Sequence, residues 1–199
     1  MIDHKGEIVD GDELIYIIAK SRLDEGKLLG PVVGTLMSNL GMEHALNALN
    51  LQLLRAKVGD RYVMEMLTEN KGMLGGEGSG HIICLDKTTT GDGIVAALQV
   101  LAEMQRTGKS LRDLKSGMKK YPQVLVNVRT EKKVKIEEID SIKKAVEAVE
   151  KKLGDKGRVL LRSSGTEPLI RVMVEGVDED DVTRYANQLA ADVKKAIAA

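Results

Sequence analysis

Apolar residues recur along the first 120 positions with two spacings, one typical of helices and the other typical of strands. A short hairpin is predicted over residues 1–9, followed by an amphipathic helix with Leu14, Ile15, Ile17 and Ile18 on its apolar face. Apolar strands are predicted at 31–36, 51–58 and 81–85, and helices at about 40–49, 60–67, 94–105 and 111–118. Helices that alternate with strands in this way predict an α/β domain with a mixed, mainly parallel sheet.

The remaining residues follow a different order of elements. The run Lys119-Lys120-Tyr121-Pro122 interrupts the pattern, and because Pro122 disfavours helix at the residue before it, we place a domain boundary between 1–120 and 121–199. Beyond it, strands are predicted at 123–129, 158–162 and 169–175, and helices at about 139–153 and 179–197. This β-α-β-β-α order predicts a smaller α+β domain with an antiparallel sheet and helices on one face.

Composition and charge exclude several classes of partner. The 199 residues include 30 basic and 30 acidic side chains, four Tyr and no Phe or Trp, so the chain lacks the cationic surplus and the stacking platforms of nucleic-acid-binding proteins. No apolar stretch approaches the roughly 20 residues that span a membrane. The single cysteine, Cys84, lies in an apolar run and is predicted to be buried; a chain without disulfides fits the cytoplasm.

Residues 162–171, which we call the arginine loop, join two apolar strands and yet are rich in polar groups. Arg162 ends the first strand, Arg171 lies two residues into the second, and Ser163, Ser164 and Thr166 lie between them. Guanidinium forks, hydroxyl donors and a flexible backbone are what a phosphate dianion requires, and both arginines could face one anion. The alternative interpretation is a solvated hairpin loop with an arginine at each end.

Residues 75–81, which we call the glycine loop, hold four glycines in seven positions. Glycines allow a ligand to approach the backbone, while Glu77 offers an acceptor and Ser79 a donor to sugar hydroxyls. His81 begins the next strand and could reach the same ligand. The alternative interpretation is a flexible turn in which Glu77 is merely solvated.

Together, the two loops resemble the sugar-binding loop (Gly-Glu-x-Ser-Gly-His) and the phosphate-binding loop (Arg-x-Ser-Gly-Thr-Glu-Pro) of the α-D-phosphohexomutase superfamily. Three further segments, at 34–39, 58–63 and 85–93, resemble the same family in the same order. The resemblance implies that residues 1–120 are the sugar-binding domain 3 and residues 121–199 the phosphate-binding domain 4 of a four-domain cytoplasmic enzyme.

The resemblance also implies a role for individual residues. Glu77 and Ser79 match positions that bind sugar hydroxyls, and His81 closes that motif. Arg61 is a weaker candidate for the same cleft, with a salt bridge at the start of a helix as its alternative. Five residues match the positions that grip the phosphate: Arg162, Ser164, Gly165, Thr166 and Arg171.

The reaction implied by the resemblance moves a phosphoryl group between the 6- and 1-positions of a phosphorylated hexosamine, through a phosphoserine in domain 1 and with Mg²⁺ bound in domain 2. In-line transfer of this kind depends on positioning and charge neutralisation. Segments 58–63 and 85–93 favour glucosamine phosphates, on the route to UDP-N-acetylglucosamine and peptidoglycan, over the mannose and glucose phosphates of related mutases. Neither segment contains an obvious carboxylate dedicated to a 2-amino group.

Two of the family's loops are absent from the sequence. No histidine lies in a Ser-His-Asn-Pro phosphoserine motif, and Asp10-Gly11-Asp12 has two of the three alternating aspartates of the metal loop. For Asp10 and Asp12 we expect helix capping and helix-dipole stabilisation instead, and Asp92 is likewise expected to cap a helix. We therefore expect domains 3 and 4 alone, without catalytic or metal-binding residues, and inactive without their partners, domains 1 and 2.

Two alternatives stay open at this point. The chain could be a stand-alone module that binds a phosphosugar without chemistry, or a part of a phosphomannomutase or phosphoglucomutase. The sequence predicts no membrane and no nucleic-acid partner under any of these interpretations.

Overall fold

The computed structural model describes residues 1–130, 136, 139–164 and 167–198. The chain divides into two compact units, unit 1 from Met1 to Lys120 and unit 2 from Tyr121 to Ala199. The elements of unit 1 are, in chain order, α1 (Gly11–Asp24), β1 (Val32–Thr35), α2 (Leu40–Ala48), β2 (Leu53–Ala56), α3 (Asp60–Glu69), β3 (Leu74–Gly76), β4 (Ile82–Cys84), α4 (Gly93–Thr107) and α5 (Leu111–Lys115).

Unit 1 contains a four-stranded sheet in the order β2-β1-β3-β4. Strand β1 runs parallel to β2 and β3, whereas β4 runs antiparallel to β3. The predicted mixed, mainly parallel sheet is therefore confirmed. One strand was not predicted: β3 lies inside the glycine-rich run that the sequence marked as a loop, so β3 and β4 form a hairpin whose turn is the glycine loop.

Neighbouring residues of β1 face opposite sides of this sheet, as the pleat of a strand requires. Val32 packs with Ile15 of α1 and Val100 of α4, whereas Val33 packs with Val63 of α3. Helices therefore cover both faces of the sheet. The predicted short helix at 111–118 is confirmed as α5, although it ends earlier, at Lys115. The predicted hairpin at the start of the chain is present as a bridge between Ile2 and Ile8.

Capping side chains fix the starts of four of the five helices in unit 1, with α3 as the exception. Asp10 accepts the Glu13 N–H at 3.1 Å, and Glu13 in turn accepts the Asp10 N–H at 3.0 Å, which forms a capping box before α1. Asn39 caps α2, and Asp92 caps α4 by accepting from two backbone N–H groups. Side-chain caps of this kind contribute typically about 1 kcal/mol each. The predicted capping roles of Asp10 and Asp92 are confirmed.

Unit 2 consists of β5 (Gln123–Arg129), α6 (Asp140–Leu153), a 3₁₀ turn (Gly154–Lys156), β6 (Gly157–Ser163), β7 (Leu169–Gly176) and α7 (Glu179–Ala198). Its sheet has the order β5-β7-β6, and the central strand β7 is antiparallel to both neighbours. Ile170 and Val172 of β7 pack with Ile142 of α6 and Leu189 of α7. Both helices therefore cover the same face of the sheet, as predicted.

Two further sequence predictions concern burial. Cys84 is buried in the core of unit 1, where burial raises the pKa of its thiol, so its predicted structural role is confirmed. Among the helices of the described residues, none combines the length and the apolar character that crossing a bilayer requires.

Candidate functional site

The glycine loop forms the tight turn between β3 and β4 in unit 1. The Glu77 N–H donates to the His81 carbonyl at 3.0 Å, and the Gly80 N–H donates to the Glu77 carbonyl at 2.9 Å. These bonds hold Glu77 and His81 at the two ends of the turn and leave Ser79 exposed at its tip. The turn therefore presents three of the four predicted sugar-binding side chains on one short segment.

The start of α1 packs against this loop and is hydrogen-bonded to it. The Gly11 N–H donates to the Gly78 carbonyl at 3.0 Å. A Cβ atom on residue 11 would lie 2.0 Å from the Glu77 carbonyl oxygen, which is far inside any real contact distance, so only glycine fits there. No local sequence pattern predicts this contact, because it joins residues more than sixty positions apart.

The side chains of the loop are held by the start of α3. Glu77 Oε1 accepts the Gly59 N–H at 2.8 Å, and Ser79 Oγ lies 3.5 Å from Glu77 Oε2. His81 Nδ1 lies 3.4 Å from Asp60 Oδ1, a separation typical of an ion pair but without the alignment of a hydrogen bond. Asp60 belongs to the segment that carried the family resemblance, although the sequence did not mark it as a site residue.

Arg61 is the second residue of α3 and is exposed. Within residues 1–120, all of which the structure describes, Arg61 forms no salt bridge. The structure therefore gives no support to the alternative role of Arg61, a salt bridge at the start of a helix. Its proposed role near the sugar remains a prediction.

Asp12 is the least expected polar residue near the glycine loop. Its side chain is 3% exposed, and its Oδ2 accepts the Asn39 N–H at 2.7 Å. A Cβ atom on residue 78 would lie 3.3 Å from that same oxygen, so Asp12 fills the space between the loop and the start of α2. Burial raises the pKa of the Asp12 carboxyl to about 6. Asp12 lies in the first turn of α1, as the helix-dipole prediction requires, and its burial adds a second role as a support of the glycine loop.

We expect the substitution Asp12→Asn to stabilise unit 1 at neutral pH. The folded-state pKa of about 6 lies above the ordinary value of 3.8, so the folded chain holds this proton more tightly than the unfolded chain does. The free energy of unfolding of the native chain therefore falls, relative to that of Asp12→Asn, as the pH rises from about 4 through about 6. The difference approaches a limit of about 3 kcal/mol, because one pKa unit corresponds to about 1.4 kcal/mol.

Urea unfolding of both chains between pH 4 and pH 8 measures this difference. Asp24→Asn is the matched control, because Asp24 is exposed and pairs only with Lys20 on the surface of α1. Parallel pH profiles for the native chain and Asp12→Asn would contradict the burial argument.

The arginine loop lies at the end of the β6–β7 hairpin in unit 2. Arg162 and Arg171 are direct partners in the antiparallel ladder, so their side chains point to the same face of the sheet. Because Ile170 and Val172 face α6 and α7, the arginine pair lies on the opposite face of the sheet.

The electrostatics of the arginine pair are unfavourable without an anion. Burial lowers the pKa of the Arg162 guanidinium, and the neighbouring charge of Arg171 lowers it further. The Nε of Arg162 is buried and has no hydrogen-bond partner among the described residues. Two like charges directly across a ladder destabilise a sheet. A bound oxyanion would offset this repulsion and would accept the hydrogen bond that Arg162 Nε lacks.

Ser164 lies next to this pair and is 6% exposed. Its N–H donates to the Leu169 carbonyl at 2.9 Å, and its Oγ accepts the Glu167 N–H at 3.3 Å. The hydroxyl proton of Ser164 is therefore available for donation to an anion. Gly165 and Thr166, the other two predicted phosphate-binding positions, lie outside the described residues.

Magnesium does not fit the residues that the structure describes. Asp10 caps α1 and pairs with Lys120, while Asp12 accepts from the backbone of Asn39. Elsewhere in the described ranges, no three His, Cys, Asp or Glu side chains come close enough to hold a metal ion. No step in this chain is therefore assigned to Mg²⁺.

A three-layer α/β unit followed by a two-layer α+β unit, each with one polar loop, is the architecture of the last two domains of a phosphohexomutase. Residues 10–121 match the family model "Phosphoglucomutase/phosphomannomutase, alpha/beta/alpha domain III", and residues 125–192 match "Phosphoglucomutase/phosphomannomutase, C-terminal domain". The chain belongs to the phosphoglucomutase/phosphomannomutase family, and the resemblance inferred from the two loops is confirmed.

Within this family, the chain is similar to proteins named phosphoglucosamine mutase. It is 62% identical to the one from Methylococcus capsulatus over 199 residues, which is 100% of this chain and 44% of the relative. It is 60% identical to the one from Nitrosococcus oceani, over 97% of this chain and 43% of the relative. The chain thus spans less than half the length of the curated relatives it matches.

Solved structures show the same fold at low sequence identity. The N-acetylphosphoglucosamine mutase of Aspergillus fumigatus, in complex with GlcNAc-6P and magnesium, has a TM-score of 0.81 and 19% identity, over 98% of this chain and 49% of that one. A phosphoglucomutase/phosphomannomutase family protein from Burkholderia thailandensis has a TM-score of 0.77 and 19% identity, over 98% and 43% of the two chains.

Proposed function

We propose that this chain provides the sugar-binding and phosphate-binding domains of a phosphoglucosamine mutase, which interconverts glucosamine 6-phosphate and glucosamine 1-phosphate. The single observation that carries the proposal is the pair Arg162 and Arg171, opposed on one face of β6 and β7 with the Nε of Arg162 buried. Such a pair is well suited to bind an oxyanion of phosphate type. The names of the relatives supply the sugar.

In this proposal, unit 2 neutralises the phosphate and unit 1 holds the hexosamine. Arg162, Arg171 and Ser164 donate hydrogen bonds to phosphate oxygens, and so do Gly165 and Thr166, which match the family's phosphate-binding positions. Glu77 accepts from sugar hydroxyls and Ser79 donates to them, with His81 and Arg61 as further sugar contacts. Holding a substrate at both ends accounts for much of the rate enhancement of an in-line phosphoryl transfer, because it positions the reacting groups.

The phosphoserine, the Mg²⁺ and hence the catalysis would come from the two domains that precede these in the family. The chain by itself would then bind a phosphosugar without turning it over. We further propose that the complete enzyme acts in the cytoplasm, on the route to UDP-N-acetylglucosamine and peptidoglycan.

A chimera tests this proposal. We expect mutase activity when this chain replaces the matching 44% of the Methylococcus capsulatus relative, and no activity from the chain alone. The measurement is the conversion of glucosamine 6-phosphate to glucosamine 1-phosphate, with the remaining part of the relative, expressed alone, as control. A folded but inactive chimera, or turnover by the isolated chain, would contradict the proposal.

A further inference from the structure

Two acidic side chains around the glycine loop stand out because they lack a basic partner. Within residues 1–120, all of which the structure describes, Asp60 and Glu77 have no salt bridge to a lysine or arginine. Most other carboxylates of unit 1 do have such a partner: Asp3, Glu7, Asp10, Glu13, Asp24, Glu25, Glu43, Asp86 and Glu103.

Asp60 and Glu77 are also coupled through the backbone. Glu77 Oε1 accepts the N–H of Gly59, the residue immediately before Asp60. The loop is therefore tied to the start of α3, and the two carboxylates belong to one small site. His81 lies at the same place, since its Nδ1 is 3.4 Å from Asp60 Oδ1, and Gly91 packs against the other edge of its ring.

One oxygen of each carboxylate points into the protein: Glu77 Oε1 accepts a backbone hydrogen bond, whereas Asp60 Oδ1 is buried without a hydrogen-bond partner in the described residues. Oδ1 of Asp60 is buried against His81, so the exposed third of this side chain belongs to its other atoms. Oε1 of Glu77 is bonded to the backbone, whereas its Oε2 has only the 3.5 Å contact with Ser79. Both carboxylates therefore keep acceptor capacity that no salt bridge within residues 1–120 uses.

A 2-amino sugar differs from a 2-hydroxy sugar in that it can carry a positive charge at the 2-position. Near neutral pH an amine is largely an ammonium, which is a donor of three hydrogen bonds and a full positive charge. A hydroxyl satisfies a carboxylate only as a neutral donor, and charge-assisted bonds are roughly twice as strong as neutral ones.

We propose that Asp60, acting beside Glu77, is the residue that distinguishes hexosamine phosphates from hexose phosphates by binding the protonated 2-amino group. This inference rests on the proposed function and adds to it the residue that sets the sugar class. It also supplies the carboxylate that the sequence alone did not reveal.

The test compares three ligands on the full chain by titration of backbone amide shifts at about pH 6.5, where the amine is protonated. We expect glucosamine 6-phosphate to bind about five- to tenfold more tightly than glucose 6-phosphate, since one partly exposed charged contact separates them. N-acetylglucosamine 6-phosphate, which carries a neutral amide, should lose this advantage.

In Asp60→Asn, the preference for glucosamine 6-phosphate should fall to within roughly twofold, because the charged contact to the amine loses more affinity than the neutral contact to the hydroxyl of glucose 6-phosphate. Glu65→Gln is the matched control, because Glu65 is exposed on the same helix and its removal changes the net charge equally. We expect Glu65→Gln to keep the full preference.

Three results would overturn the inference, and they differ in what they say of the proposed function. Equal affinity of the native chain for both sugars removes the inference and leaves the proposed function standing. Equal weakening of both sugars in Asp60→Asn also removes it, since Asp60 then only positions the loop through His81. Absence of binding by all three phosphosugars removes the proposed function and the inference together.

Discussion

Replacing Arg162 and Arg171 together by alanine is expected to abolish measurable binding of phosphosugar by the chain. Each charge-assisted bond to phosphate contributes on the order of 1.5–3 kcal/mol, so the loss of two such contacts weakens binding by a factor of roughly 10² to 10⁴. Isothermal titration with glucosamine 6-phosphate measures the affinity, and each single variant should lose roughly tenfold or more.

The same double variant should not destabilise unit 2. Arg162 and Arg171 face each other directly across the ladder, so their removal relieves a repulsion that is typically below about 1 kcal/mol. Thermal unfolding followed through the amide signals of β7 separates this effect from a loss of fold. Arg184→Ala is the control, since Arg184 lies in the same unit, is exposed and pairs with Asp181. Full affinity in the double variant would remove the phosphate assignment of the arginine loop.

The alternation of helix and strand was predictable because each apolar face has a periodic signature. Val32 and Val33 face the two helical layers of unit 1, and Ile170 and Val172 share one face of β7. The strand β3 was missed because it contains no such pattern. Gly75 occupies it for a steric reason, since a Cβ atom there would lie 2.6 Å from the Val33 carbonyl oxygen.

The sequence predicted which loops contain the candidate sites, but it did not predict how their side chains are placed relative to one another. Residue types identified Glu77, Ser79, Arg162 and Arg171, because their chemistry stands out against glycine-rich or apolar surroundings. The two arginines lie directly opposite each other because of the register in which β6 pairs with β7. The spacing of apolar residues along the chain does not determine that register.

The supporting residues were harder still to predict. In the sequence, Asp12 cannot be distinguished from other acidic residues at the start of a helix. Only the fold shows that it is buried next to the glycine loop. Contacts between segments far apart in sequence, such as that of Gly11 with Gly78, follow from tertiary packing and leave no local signal.

A second such contact joins Arg158 to Glu175 and leads to the largest expected effect on stability. Glu175 on β7 is 0% exposed, and its Oε2 accepts from Arg158 Nε on β6 at 2.7 Å. The substitution Arg158→Ala removes the guanidinium that neutralises this carboxylate. Breaking a buried ion pair from one side costs about 3–5 kcal/mol, so we expect the free energy of unfolding of unit 2 to fall by that amount.

Amide hydrogen exchange along β7 measures this loss, because the exchange of central-strand amides reports the stability of the whole unit. Arg158→Met combined with Glu175→Leu is the informative comparison, since replacing both charges by apolar side chains leaves no charge to desolvate and is expected to recover most of the loss. Lys194→Ala, at an exposed position of α7, should change stability by less than about 0.5 kcal/mol. If Arg158→Ala were no more destabilising than Lys194→Ala, the ion pair would contribute nothing to the fold, and solvent would have to reach Glu175 in spite of its burial.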